Sequence, residues 1–224
     1  MNPKISGALI FLIVPAVFST GAITYPHIGN AALAFGLPTV LLALWGLWAL
    51  LPAIDPVAKG FPGFRHVYDF FWILLSGVFA YAYALTLGRT LGWQVNVLHS
   101  VTPAVAALLF VTGALLPRIR RNWFFGIRTP WTLSSDEDWA KTHRFARPLF
   151  MIAGVFAFLG AFTSRVLSVG LIVGPFLFAA TASIVYSYLV FRGRSSNGRS
   201  GAKEERVDNS SDGPPGIGPS LEAP

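Results

Sequence analysis

Cysteine is absent from the 224 residues, and charged residues make up only 12% of them. Without cysteine the chain has no disulfide, no thiolate metal site and no cysteine nucleophile. With 54% hydrophobic residues, so few charges cannot cover the surface of an ordinary soluble protein. The formal net charge of +7 is more typical of membrane-protein loops than of a nucleic-acid-binding face in so apolar a chain. Composition therefore predicts an integral membrane protein that does not bind nucleic acid.

Apolar residues are concentrated in six stretches, each close to the roughly 20 residues that a helix needs to cross a bilayer. In lipid the backbone must satisfy its own hydrogen bonds, so prolines within these stretches are interpreted as helix kinks. The sequence predicts an all-α membrane protein with six transmembrane helices. The predicted spans are residues 5–24, 31–51, 67–87, 95–116, 146–163 and 167–191, and the kinks are at Pro15, Pro38, Pro103 and Pro175.

Basic residues are distributed unevenly between the two sides of this arrangement. Fifteen of the seventeen lysines and arginines fall at the termini or in alternate loops, and only Arg89 and Arg165 fall on the other side. Because positive loops are retained on the cytoplasmic side, both termini and the long loop 117–147 are predicted to be cytoplasmic. Residues 192–224 are polar and rich in Gly, Ser and Pro, which predicts a disordered cytoplasmic tail after a transmembrane domain of residues 1–191.

The first span has a second interpretation, since Lys4 precedes an apolar run that ends in small residues, as in a cleaved signal. Retention is favoured because the run is longer than a usual signal core. Either outcome leaves the later loops on the sides assigned above.

The loop 117–147 is unusually aromatic for a polar connection. One interpretation is an interfacial belt, in which tryptophan rings and arginines lie at headgroup level. A second is a shaped binding surface, since Gly126 permits a turn and Pro130 makes Thr129 extended, which presents Arg128. The tryptophans in the loop are Trp123, Trp131 and Trp139.

A short surface helix is predicted within this loop. Ser134 and Glu137 have the spacing of a capping box, which predicts that the helix begins at Ser134. Pro148 is expected to break or kink the chain where this helix passes into the fifth span. The residues expected to share one face of the helix are Trp139, Thr142, His143 and Ala146.

The run NWFFGIRTPWTLSSDEDWAKTHRFA, residues 122–146, resembles the signature loop of the SdpI family of membrane proteins. The triplet Ile54, Asp55, Pro56, followed by Tyr68, is similar to the family's second loop. The resemblance implies a six-span protein of the cell membrane without a catalytic centre. It further implies immunity to a membrane-active peptide toxin and, as in the founding system, capture of a cytoplasmic regulator at the membrane.

The chain departs from the family after the first span, where the usual outer segment is reduced to TYPHIGN, residues 24–30. We therefore expect the cytoplasmic loop to bind the partner or an anion, with membrane lipids as further partners and no cofactor or metal. The expected binding residues are Asn122, Trp123, Phe125, Gly126, Arg128, Thr129, Pro130, Trp131, Thr132, Ser134, Trp139 and His143.

Catalysis and transport are two other functions on which the sequence bears. An enzyme would require convergent polar groups, but His143 and Asp136 form an incomplete set without a second histidine nearby. A transporter of ions, lipids or small molecules would usually carry ionisable groups near the membrane midplane. Asp69 is explained by an ion pair with Arg65, four residues earlier, and His99 lies at the outer end of the fourth span. Transport remains the alternative to immunity and signalling.

Overall fold

The computed structural model describes residues 3–55 and 63–211, with side chains described for residues 12–55 and 63–195. Within these ranges every regular element is a helix. The helices are α1 (Pro3–Ile28), α2 (Ala31–Ile54), α3 (Arg65–Thr90), α4 (Val97–Leu115), α5 (Pro130–Ser134), α6 (Asp136–Gly160) and α7 (Arg165–Ser211), with a 3₁₀ turn at Leu116–Arg118. Pro56 of the predicted second-loop motif, and residues 212–224 of the predicted tail, lie outside the described residues.

Four helices in the described part of the chain are long and apolar enough to cross a membrane. They are α2, α3, α4 with its 3₁₀ turn, and α7 as far as Ser195. In α1 the side chains are described only from Leu12 to Ile28, and this stretch is apolar but shorter. α6 carries six charged side chains in its first half and becomes apolar only after Arg147. An all-helical membrane architecture is therefore confirmed, and each predicted span lies largely on its own helix.

Side-chain caps define where several helices begin. Gly29 adopts a positive φ of 66° between α1 and α2, and Asn30 then accepts hydrogen bonds from the amides of Ala32 and Leu33. Asn96 caps α4 by accepting from the His99 amide at 3.4 Å. These caps satisfy amides that have no acceptor within the helix, so helix entry is determined locally.

Small residues allow the helices to approach closely. A Cβ added at Gly154 of α6 would lie 2.7 Å from the Phe110 amide nitrogen of α4, and one added at Gly113 would lie 2.9 Å from the Arg147 carbonyl oxygen. Glycine is therefore required at both positions for the backbones of α4 and α6 to touch, as is common between membrane helices. On the other side of the bundle, Tyr83 of α3 donates its hydroxyl to the Ala34 carbonyl of α2 at 2.6 Å.

The main buried cluster lies where the long loop meets the helices, which we call the loop end of the bundle. Phe64, Tyr68 and Trp139 are almost fully buried there, together with Trp48 and Leu116. The opposite end holds the α3–α4 and α6–α7 turns, where the His99 imidazole Nε2 lies 2.7 Å from the Thr163 carbonyl oxygen. The core is thus concentrated at one end of a bundle whose outer surface is apolar.

The predicted ion pair within α3 is confirmed. Arg65 Nε lies 2.9 Å from Asp69 Oδ1, and the same oxygen accepts the Trp48 indole N–H at 3.0 Å. The guanidinium also lies over the rings of Trp48 and Tyr68. A carboxylate that is fully buried is therefore held by charge and by hydrogen bonding.

Two features differ from the sequence prediction. Ser134 ends α5 and donates its hydroxyl to the Trp131 carbonyl, whereas Ser135 caps α6 by accepting from the Asp138 amide. The prediction of a cap at Ser134 was wrong because residues 130–134 already form a separate helical turn. α6 is also continuous through Pro148, so the helix does not break there, and a kink at Pro148 stays a prediction. Packing against α4 and α7 compensates for the one lost backbone bond.

α7 extends to Ser211. The disordered tail expected for residues 192–224 stays a prediction.

Candidate functional site

Asn122 organises the first turn of the long loop. Its side-chain oxygen accepts from the amides of Phe124 and Phe125 at 2.9 and 2.6 Å. Its side-chain nitrogen donates to the carbonyls of Arg120 and Phe125, each at 2.9 Å. With its side chain fully buried and satisfied at both ends, Asn122 shapes the loop from within and has no surface of its own to offer a ligand.

Trp123 is fixed through its backbone while its side chain stays at the surface. Its amide donates to Oδ2 of the buried Asp55 at 3.2 Å, and its carbonyl accepts from Arg128 Nη1 at 2.7 Å. The side chain is 48% exposed. The loop therefore presents a large aromatic ring beside an exposed guanidinium, with the connecting backbone bonded on both sides.

Gly126 meets the helix behind the loop. It has a φ of 111°, and a Cβ there would lie 2.5 Å from His143 Nε2 and 3.1 Å from the Trp139 ring. The sequence prediction that Gly126 permits a turn is confirmed. The close approach gives glycine a second requirement at this position, because any side chain would displace the histidine.

His143 joins the loop to α6. Its Nδ1 lies 2.8 Å from the Trp139 carbonyl oxygen, and its Nε2 lies 3.1 Å from the Ile127 amide. Nδ1 therefore carries the proton and donates, while Nε2 accepts. Burial lowers the pKa of His143 to about 4 despite the opposing effect of the Trp139 carbonyl, so the imidazole is neutral at pH 7. His143 is a structural link, and the surface carboxylate of Asp136 instead pairs with Arg121 at 2.7 Å.

Two aromatic side chains attach the loop to the bundle. Phe125 packs on α3, with its ring centroid 4.6 Å from that of Phe71 and 6.4 Å from that of Tyr68. On α6, Trp139 stacks on His143 at 4.2 Å and donates its indole N–H to the Ile119 carbonyl at 2.8 Å. The loop is therefore a packed unit, which we call the signature unit, residues 119–146.

α5 is a single turn that docks on α7. Thr129 is extended, as predicted for a residue before proline, and forms a capping box with Thr132. Trp131 then donates its indole N–H to the Ser187 hydroxyl at 2.7 Å and packs against the rings of Tyr188 and Phe191. Trp131 is thereby committed to an internal contact with the last membrane helix.

A second ionic contact ties the start of α6 to α7. Asp138 is fully buried, and Arg194 Nη2 lies 3.0 Å from its Oδ2. Since the geometry is that of an ion pair and not of a directed hydrogen bond, the contact depends mainly on charge. Lys141 and Glu137 form a further pair at the surface.

The predicted site residues divide by position. Those in the interior shape the signature unit, Phe125 and Trp131 contact neighbouring helices, and a few lie exposed at the surface. The buried residues are Asn122, Thr129, Thr132, Trp139 and His143, Gly126 is partly buried, and the exposed residues are Trp123, Arg128, Pro130 and Ser134.

Sequence reasoning missed the parts played by Asp55, Arg121 and Asp138. Asp55 belonged to a quoted motif, but nothing nearby in sequence indicated that its partner would be the Trp123 amide. In the described residues no group of three His, Cys, Asp or Glu side chains is arranged to hold a metal ion. The arrangement can bind a ligand through an exposed aromatic ring and guanidinium groups.

Comparison with known proteins supports the resemblance drawn from the signature loop. Residues 118–187 match the model of the SdpI/YfhL protein family. The chain is 31% identical over 108 residues to the Immunity protein SdpI of Bacillus subtilis (strain 168), a region covering 48% of this chain and 52% of that protein. The match therefore spans about half the length of the curated relative. No solved structure matches the chain.

These findings and the apolar helices establish a multi-pass protein of the cell membrane that resembles the SdpI family.

Proposed function

From the resemblance to the SdpI family, we propose that this protein is not an enzyme and confers immunity to a membrane-active peptide toxin, signals at the membrane by capturing a cytoplasmic partner through its signature unit, or does both. The observation that carries this proposal is the position of Trp123. An aromatic side chain that is 48% exposed stands on a backbone bonded to Asp55 and Arg128. Rigid presentation reduces the entropy lost on binding, and tryptophan and arginine dominate the energetics of many interfaces.

The charge around Trp123 indicates the kind of partner. Arg118, Arg120 and Arg128 are all exposed on this side of the molecule. Such a surface attracts an acidic segment of a cytoplasmic protein, and the aromatic ring contributes apolar contact area.

The proposed topology has six spans, with both termini and the signature unit in the cytoplasm. Support comes from the basic residues, fifteen of which fall on the signature-unit side, and from α1 and α6, which supply the two further spans. The chain has no native cysteine, so single cysteines report directly. A cysteine at Ser134 should resist an impermeant thiol reagent in intact cells, while one at Leu91 should react. Labelling at residue 134 from outside would reverse the orientation.

The functional test compares two tryptophans of similar exposure at opposite ends of the bundle. Trp123→Ala should abolish toxin protection in a cell assay, whereas Trp93→Ala, at a residue that is 58% exposed, should leave it intact. Both variants should reach normal abundance in the membrane, because neither ring is buried. Equal protection by both variants, or loss only in Trp93→Ala, would contradict binding through the signature unit.

Substitutions at Arg128 distinguish the effect of positive charge from the effect of the planar guanidinium. Arg128→Lys keeps the positive charge but loses the planar guanidinium, which alone can form two parallel bonds with a carboxylate. If an acidic partner is bound in this way, protection by Arg128→Lys should fall towards that of Arg128→Ala. Full protection by the lysine variant would show that positive charge at residue 128 is sufficient and that two parallel bonds are not needed.

Transport is the second candidate, and Asp69 is the observation that favours it. Its Oδ2 is buried without a hydrogen-bond partner, although Oδ1 is bonded to Arg65 and Trp48. A translocated cation or proton would need such an oxygen. If the protein transports a cation or proton, Asp69→Asn should abolish its uptake or efflux. If the carboxylate is only structural, the variant should retain toxin protection.

A further inference from the structure

The opposite end of the bundle contains a cavity of about 600 Å³ between the α3–α4 turn and the start of α7. Arg89 and Arg165 line it from different helices, together with Trp93, Gln94 and the first turn of α4. These two arginines are the same two basic residues that depart from the charge bias of the chain. Both exceptions to the distribution of positive charge therefore face one space.

No acidic residue of the chain is close in sequence to this cavity. The chain has no Asp or Glu from residue 70 to 135 or from 139 to 203, so the turns at the opposite end contain only positive charge. Two guanidinium groups that line one cavity repel each other unless an anion lies between them. Among the described residues that line the cavity none is a carboxylate, so the positive charge favours binding of an external anion.

The cavity is held in shape by contacts on two sides. Arg89 donates from Nη1 to the Val95 carbonyl oxygen at 2.9 Å, which fixes its guanidinium against the turn. The α6–α7 turn that precedes Arg165 is held against α4 by the contact between His99 Nε2 and the Thr163 carbonyl oxygen, at 2.7 Å. The two arginines are therefore presented by turns that are joined to each other, which favours a defined binding site over a diffuse positive surface.

Exposed apolar side chains occur in the two turns that carry Arg89 and Arg165. Leu91 is 53% exposed, Phe162 75% and Val166 83%, all in the turns at this end of the bundle. Side chains of this kind are compatible with hydrocarbon, whereas a free ion in water would gain nothing from them. The ligand should thus combine an anionic group with apolar chains.

We propose that this cavity binds the phosphate of an anionic phospholipid, with Arg89 and Arg165 as donors and the acyl chains lying along the neighbouring apolar residues. The amides of Val97 and Leu98, which line the cavity and precede the His99 amide that Asn96 caps, add donors that have no acceptor within the helix. A phosphodiester without a compensating ammonium group suits this site, because the described lining offers no carboxylate to a zwitterionic headgroup. The inference is independent of toxin immunity, and in the proposed topology it concerns the outer leaflet.

Trp93 provides a local readout. The full chain is placed in nanodiscs that contain phosphatidylcholine and a small fraction of a lipid with brominated acyl chains, which quench tryptophan on contact. The Trp93 signal is the difference in fluorescence between the wild type and Trp93→Phe. Brominated phosphatidylglycerol should quench this signal at a concentration at least about tenfold lower than brominated phosphatidylcholine does. Equal quenching by the two lipids overturns the proposal.

Variants and a free anion complete the test. Arg165→Gln should remove most of the preference for phosphatidylglycerol, and Arg165→Lys should retain part of it. Arg147→Gln, at an exposed residue about halfway along α6 that does not line the cavity, should retain all of it. A full preference in Arg165→Gln overturns the proposal. So does complete loss of the preference on adding millimolar inorganic phosphate at constant ionic strength, since the site would then recognise free phosphate rather than lipid.

Discussion

The two ends of the bundle are held together in different ways. At the loop end, the buried side chains of Asp55 and His143 bond to backbone amides that are 68 and 16 positions away in the chain. At the opposite end the α3–α4 turn is closed largely by its own backbone, as in the bond from the Trp93 amide to the Gly88 carbonyl at 2.8 Å. Buried side-chain bonds depend on residue identity, whereas backbone bonds do not, so the loop end should be far less tolerant of substitution.

The sharpest comparison between the ends uses two glycines with positive φ. Gly126→Ala adds backbone strain and a contact with His143, so it should destabilise the protein by about 3 kcal/mol or more. Gly92→Ala, at a φ of 97° with no atom within 4 Å of the new Cβ, should cost only the strain, about 1 kcal/mol. Thermal unfolding in detergent measures both. Equal losses would show that packing against His143 adds nothing.

Acidification should weaken the loop end. The unfolded imidazole titrates near its ordinary pKa of about 6.5, whereas burial lowers the folded pKa of His143 to about 4. Between these values the unfolded state takes up a proton that the folded state does not, so stability is lost as pH falls from 6.5 to 4. The loss should approach about 3 kcal/mol. Thermal unfolding from pH 7.5 to 4 should show a steeper decline in the wild type than in His143→Gln, and parallel curves would contradict this assignment.

Removing an indole N–H should reduce stability at the loop end and hardly change it at the opposite end. Trp139→Phe leaves the Ile119 carbonyl buried without its donor, which should cost about 1–3 kcal/mol. Trp93→Phe, in the exposed turn, should change stability by less than about 0.5 kcal/mol. Midpoints of unfolding for the two variants provide the measurement, and a larger loss in Trp93→Phe would refute the contrast between the ends.

The smallest effect is expected from a surface ion pair, even at the loop end. Asp136 is 81% exposed at the side chain that meets Arg121, and exposed pairs of this kind contribute little. Asp136→Asn should reduce stability by about 0.5 kcal/mol, with less effect in high salt. A loss above about 2 kcal/mol would mean that the pair contributes to stability as much as the buried polar contacts of the loop end do.

The membrane helices and one ion pair were predictable because their causes are local. Each apolar stretch is a property of neighbouring residues, and Arg65 lies four positions before Asp69 on one helix. The shared face of Trp139, Thr142, His143 and Ala146 followed from helical spacing, and all four residues are buried. The six-span topology and the binding role of the loop remain predictions.

The contacts that shape the signature unit were out of reach for a different reason. Trp131 and Ser187 are 56 positions apart, and no local pattern relates them. The capping error had a local origin, since Ser134 with Glu137 and Ser135 with Asp138 offer the same spacing, and only the separate turn of α5 decides between them. The contact of Trp131 with α7 was likewise not predictable from the sequence, and its expected role in binding stays a prediction.

The bond between Asp55 and the Trp123 amide has a consequence for the timing of biogenesis, because the two residues are 68 positions apart in the chain. At a synthesis rate of about 5–20 residues per second, Asp55 leaves the ribosome roughly 3–14 seconds before its partner. During that interval α2 and α3 can insert before the bond to Trp123 forms. The α2 end of this contact is therefore made long before the loop end, and the bond can form only when the signature unit has been synthesised.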